Sequence, residues 1–345
     1  MSELLPESTI AYIELQAPTD KEQARAVVNR CLQEPRLRAA LDRMLSEGGN
    51  FNRVAIPLGA ATLRIDGDIR EPAATFDVHF RDGKGARSLR VRQNVTIAVV
   101  SLGKRGAFGV DLVAALQLEG DAARAHATVR RLMSAISLRA FPRKGGTIDS
   151  EMTAMLTDYE HGGVPCAWIN FRYFQLHFAT VGQRIVVASS RERLTDVIDR
   201  SAKPASNSLA QATDFREARK LARGDGTIVM QLHVNVQQAI TSLEHAYPMF
   251  LPQLAAQVKL VGLGGVRTLS SMTRVEGEGV AGTTSLLIDG HRVGFARLFE
   301  ETEPAKFGCL DFAPRDSYYA ACGRFDARSM FRAVIPKIGA PTTSE

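Results

Sequence analysis

Seven histidines, four cysteines and one dense basic cluster are the side chains in this sequence best equipped for chemistry. The histidines are His79, His126, His161, His177, His233, His245 and His291. No two stand four residues apart on one helix, the spacing that a helical zinc site needs. His79, His177 and His233 fall in predicted strands, where sheet neighbours could bring two together around a metal ion. Single imidazoles, hydrogen-bonded or exposed, are the plainer expectation. Cys31, Cys166, Cys309 and Cys322 are far apart and form no Cys-x-x-Cys pair. Cys31 falls on an apolar helix face and Cys322 in a strand, which suggests buried free thiols; a Cys309–Cys322 bridge is the alternative. Lys84, Arg87, Arg90 and Arg92 form the basic cluster, with no aromatic side chain interleaved to stack on bases. A solvated sheet face is expected there rather than a nucleic-acid or anion site.

Glycine-rich segments point the same way. Gly262-Leu263-Gly264-Gly265 lacks the third glycine of a dinucleotide fingerprint and follows a helix, so it is expected to be a helix end and turn. Gly103-Lys104-Arg105-Gly106 is expected to be a hairpin turn with exposed charges. Nucleophile-elbow, zincin and Walker motifs are missing from the sequence. No residue is assigned a catalytic, cofactor-binding or metal role.

Elements that would position these groups follow from periodicity. The chain is 45% apolar and 23% charged, ordinary for a folded protein, and its length suits about two domains. Its net charge of +6 is spread among acidic residues and carries no implied partner. No apolar run approaches the ~18 residues of a spanning helix. The opening Met-Ser-Glu-Leu-Leu-Pro lacks the basic and apolar regions of a signal peptide.

Thr9 to Leu15 reads as a strand, followed by a Thr19–Glu22 capping box and two helices broken at Pro35. From about Ala61 the period becomes two: Phe76, Val78 and Phe80, then Leu89 and Val91, then strands at 95–102 and 110–118, a meander with one wet face. Asp121 opens a helix with Ala125, Val129, Leu132, Met133 and Ile136 inward. Hairpins follow to Ala188, and Ser189 with Glu192 forms a second capping box. Residues 201–208 read as a linker, and 213–221 as a short helix.

A strand–helix unit then recurs, at Gly224 onward with Asn235 at the junction, and at Pro314 onward with Asp326. Strands are expected near 264–275, 280–289 and 292–299. The predicted fold is α+β, with antiparallel meanders packed on amphipathic helices in two related tandem units. These span 1–202 and 203–345, the second incomplete.

Four segments carry a resemblance: Leu5-Pro6-x-Ser8-Thr9-Ile10-Ala11-Tyr12; Gly182 through Arg191; Ser208-Leu209-Ala210 with Phe215; and Ala313-Pro314-x-Asp316-x-Tyr318. In these the chain resembles a bacterial family of secreted or envelope-anchored proteins known only as a domain of unknown function. The resemblance implies an extracytoplasmic setting and no assigned activity.

The functional expectation is a non-catalytic interaction or scaffold protein of the cell envelope. A carrier of an apolar ligand such as lipid is the alternative, and an enzyme of unrecognised type the third. No cofactor and no nucleic-acid partner are expected. Self-association or a protein partner is expected through the C-terminal unit, whose sheet would otherwise keep an uncovered edge.

Overall fold

The computed structural model describes residues 1–16, 53–58, 61–66, 75–82, 85–107, 109–140, 156–171, 174–222, 224, 226–246, 265–277 and 279–289, together with helical Glu22, Ala26, Gln33, Pro35 and Ala39. These residues are predominantly antiparallel sheet. Thirteen strands run β1 (Ala11–Leu15), β2 (Arg53–Leu58), β3 (Ala61–Asp66), β4 (Thr75–Asp82), β5 (Gly85–Ala107), β6 (Val110–Glu119), β7 (Leu156–His161), β8 (Val164–Phe171), β9 (Phe174–Val181), β10 (Arg184–Ala188), β11 (Thr227–Asn235), β12 (Val266–Glu276) and β13 (Gly279–Ile288). Four described helices accompany them: α1 (Ala122–Ala140), α2 (Arg191–Ala202), α3 (Thr213–Leu221) and α4 (Val236–Ala246).

One sheet holds all thirteen strands. Its order is β13-β12-β11-β1-β5-β6-β10-β9-β8-β7, and β4, β3 and β2 branch from β5. The fork follows from the length of β5. Its first half pairs with β4 (Thr75↔Arg92) and its second half with β1 (Leu15↔Val95), with a register shift between Val91 and Val95. The sheet is continuous across the expected unit boundary, because β1 and β11 are direct neighbours (Ile13↔Leu232).

The first face of the sheet carries the larger core. Leu4 and Leu5 from the N-terminal turn, Leu194, Val197 and Ile198 from α2, and Leu209 and Phe215 next to and within α3 pack on Tyr12, Ala98, Val113, Val186 and Ala188. On the second face, Ala125 and Val129 of α1 pack on Leu118, Ala167, Phe178 and Ile185, the inward side expected from its period.

Four local expectations are corrected. Ser190, not Ser189, caps α2 by accepting from Arg193 N, because the Ser189 hydroxyl accepts from Leu112 N at 2.8 Å. Residues 201–208 are no free linker: α2 runs to Ala202, Glu7 N donates to Asn207 O at 2.9 Å and Leu209 N to Leu5 O at 2.8 Å. Gly103–Gly106 belongs to β5, at a register shift between Leu102 and Ala107, and the turn comes at Gly109 with φ 74°. Pro35, expected as a break, is itself helical. The Thr19 cap, the strands near 292–299 and 317, the helix at Asp326, the Gly262–Gly264 turn, and Cys31, Cys309, Cys322, His291 and Lys84 lie outside the described residues.

Candidate functional site

The sequence candidates are spread apart by the topology. His233 on β11 and His177 on β9 share the first face but stand five strands apart in the sheet order, and His79 lies on the β4 branch. Among the described residues no group of three His, Cys, Asp or Glu side chains could hold a metal ion. The basic cluster is crossed by carboxylates: Arg90 reaches Asp77 at 3.1 Å and Arg92 reaches Glu119 at 3.9 Å. Cys166 is a buried free thiol donating to Val164 O at 3.3 Å, and burial pushes its pKa up. A raised thiol pKa lowers the fraction of nucleophilic thiolate.

The groups the sheet does bring together lie on β6, β5, β1 and β11. Strand pairing sets two rows on the first face, Ala115–Thr96–Glu14–Gln231 and Val113–Ala98–Tyr12–His233, the latter extended by Ser270 of β12. All of these except Glu14 are buried. The Tyr12 hydroxyl donates to Glu14 Oε2, and His233 Nδ1 is hydrogen-bonded to Ser270 Oγ at 2.7 Å. Phe215 of α3 meets both rings edge-on, 5.1 Å from His233 and 5.8 Å from Tyr12. Burial, then the Glu14 carboxylate, pushes the Tyr12 pKa up, and burial brings His233 down to about 4. Gln231 Nε2 and Thr268 Oγ1 are buried with no protein partner.

A second polar group lies on the same face under the start of α2. His177 stacks on Trp168 (5.8 Å, 14°), and its Nδ1 faces the Tyr159 hydroxyl at 3.3 Å. Arg191 lies 4.7 Å over the Tyr159 ring. Burial, then the Arg191 charge, lowers the His177 pKa to about 4. Both histidines are therefore neutral at physiological pH. Neither has a carboxylate partner of the kind that raises a general base toward neutral pH.

The opposite face of the same four strands is made only of apolar side chains. Its rows are Leu116–Val95–Leu15–Met230, Ala114–Ile97–Ile13–Leu232 and Leu112–Val99–Ala11–Val234. None of the twelve is buried, and Ile97, Leu15 and Ile13 keep 47%, 43% and 39% of their surface exposed. Among the described residues the usual assignment is inverted: the polar rows are buried, whereas of the twelve apolar side chains three are exposed and nine only partly buried. Sequence reasoning missed this face. Its signal was present in Thr9–Leu15 and Val95–Val99, where the alternate positions Ala11, Ile13, Leu15 and Val95, Ile97, Val99 are all apolar.

Comparison of the chain with family models, with curated proteins and with solved structures finds no match. No helix among the described residues is long and apolar enough to cross a membrane.

Proposed function

We propose that this chain is a non-catalytic interaction protein whose working surface is the open apolar face of β6, β5, β1 and β11. The observation that carries the proposal is the set of twelve apolar side chains in register, none of them buried. Contiguous exposed apolar surface marks interaction sites on folded proteins. The partner is an amphipathic helix of another polypeptide. Farther along this face α1 already sets Ala125 and Val129 against Ala167, Phe178 and Ile185, so the surface beside it suits a second helix at the usual 8–10 Å spacing. The neutral, internally bonded His177 and His233 support a non-catalytic role.

Two related tandem units, 1–202 and 203–345, form part of the proposal. Its support is that β1 and β11, the leading strands of the two units, pair with each other and then each with a later strand of its own unit, β5 and β12. The residues of the envelope-family resemblance support an extracytoplasmic setting.

The test is a photo-crosslinking amino acid at position 97, with position 216 on exposed α3 as the control. Capture at position 97 of a helical segment of one other polypeptide is expected. Capture of a second copy of this chain would replace that partner by self-association. No capture at 97 above the level at 216 would overturn the proposal. The same open face favours a second reading, a carrier of an apolar ligand such as lipid. Native mass spectrometry after organic extraction separates the two, since a carrier would release a bound lipid.

A further inference from the structure

We propose that the helices on the first face are acid-releasable, with His233 as the pin for α3 and His177 as the pin for the start of α2. His233 is 2% exposed, is bonded only to the neutral Ser270 hydroxyl, and meets Phe215, the buried residue that seats α3 on the sheet. His177 is 4% exposed and lies between Trp168 and the Tyr159 hydroxyl, whose ring carries Arg191, the first residue of α2; its Nε2 stands 3.5 Å from the neutral Gln175 Oε1.

Charged groups on the packing elements offer neither imidazolium a counter-ion. Around His233, Glu14 of β1 accepts from Tyr12, Asp214 of α3 is paired with Arg267 of β12, Arg274 of β12 is paired with Glu276, and Arg219 of α3 adds positive charge over the Phe215 ring. Around His177, Tyr159 and Cys166 hold their protons more tightly than usual, and Arg191 repels a second cation. Protonation therefore requires water to reach the ring, and the element lying over the ring must lift to admit it.

Burial holds both rings at about 4 against the ordinary 6.5. Each protonation accordingly multiplies the opening equilibrium by roughly 80-fold between pH 6.5 and pH 4, toward a limit of roughly 300-fold at lower pH. The two pins lie on different strands under different helices, so release proceeds in two separable steps.

Hydrogen exchange read by mass spectrometry on the full chain, stepped from pH 7 to pH 4 and corrected for intrinsic rates, tests this. Residues 213–221 and 191–202 should lose protection as the pH falls, while the central strands β5 and β6 stay protected. His233→Gln should abolish the pH-dependent loss at 213–221 and leave that at 191–202. An identical profile in a folded His233→Gln, or no pH dependence at 213–221, overturns the proposal. If His233→Gln does not fold, imidazole NMR of the unaltered protein decides. A His233 that titrates near 6.5 with α3 still protected overturns the proposal, and one that stays neutral until α3 exchanges supports it.

Discussion

Replacing Ile97 and Ile13 by threonine separates an open face from a covered one. Threonine keeps the β-branch, so strand preference changes little and the measured cost reports burial. Full burial of an isoleucine side chain is worth about 1.5–3 kcal/mol. Ile97 and Ile13 keep 47% and 39% of their surface in water, so only about half of that is at stake. Each single substitution should cost about 1 kcal/mol. The two are cross-strand partners, so the double variant should cost about 2 kcal/mol, with coupling of a few tenths. Phe215→Ala on the first face supplies the contrast, at about 3–5 kcal/mol for a fully buried phenylalanine. Urea unfolding followed by circular dichroism gives all four values on one scale. A cost near 3 kcal/mol for Ile97→Thr alone would show that the side chain is covered in solution, and the open-face argument would fall with it.

Other outcomes follow from the same geometry. Trp168 is the chain's one tryptophan and stacks on His177, so its fluorescence should quench as the pH falls through about 4. His177→Gln should remove that step, and a step centred near 6.5 would contradict the burial argument. His233 has a folded pKa below its unfolded one, so the unfolded chain binds more protons between the two. Its contribution is complete above about 6.5 and lost as the pH falls to about 4, a decline of about 3 kcal/mol. In folded His233→Gln, urea midpoints should lose that part of their pH dependence, and an unchanged dependence would refute the assignment. Ser189→Ala should cost more than Ser190→Ala, about 1–3 kcal/mol against about 1, because it leaves the Leu112 N–H without its partner whereas Ser190 is a helix cap. The reverse order would sink that account. A Cβ at Gly226 would lie 2.4 Å from Val275 O, so Gly226→Ala should lower the melting temperature by forcing β11 and β12 apart, and an unchanged melting temperature would refute the close approach.

Local features were the part of the fold legible in the sequence. Helix α3 spans 213–221 as its period predicts, α1 faces inward through Ala125 and Val129, and Asn235 caps α4 by accepting from Gln238 N at 2.9 Å. These depend on residues a few positions apart. What depends on distant partners was not legible. The Ser189 hydroxyl is claimed by Leu112, 77 residues earlier, which moves the cap to Ser190. The 201–208 segment looks like a linker until the N-terminal turn pairs with it at Pro6 and Ser208. Polar and charged residues drew attention as candidate sites because their chemistry is visible in isolation. The open face has no such marker, because an apolar residue reads the same whether its face is covered or not.

A strand apolar on one face and mixed on the other poses a pairing problem that β1 resolves. Hydrophobic contrast normally fixes register, since a one-residue slip turns the apolar set to water. In β1 a slip would exchange Tyr12 and Glu14 for Ala11, Ile13 and Leu15, and apolar contrast alone would favour that exchange. The packing of the first face opposes it. Tyr12 sits opposite His233 and Glu14 opposite Gln231, with Tyr12 bonded to Glu14 and His233 to Ser270. Reversing β1 would withdraw the fully buried Tyr12 ring from the first-face core and from its edge-on contact with Phe215, and would set aliphatic side chains against His233 and Gln231. Leu5, Leu209 and Phe215 converge with Tyr12 on this same core. The burial of Tyr12 thus favours the observed register of β1, with the wholly apolar rows on the other face. Four strands at ~4.8 Å and three rows at ~7 Å make that face on the order of 400 Å². An apolar patch of this size is ordinary as the largest on a folded chain, and such a patch is often a place of contact.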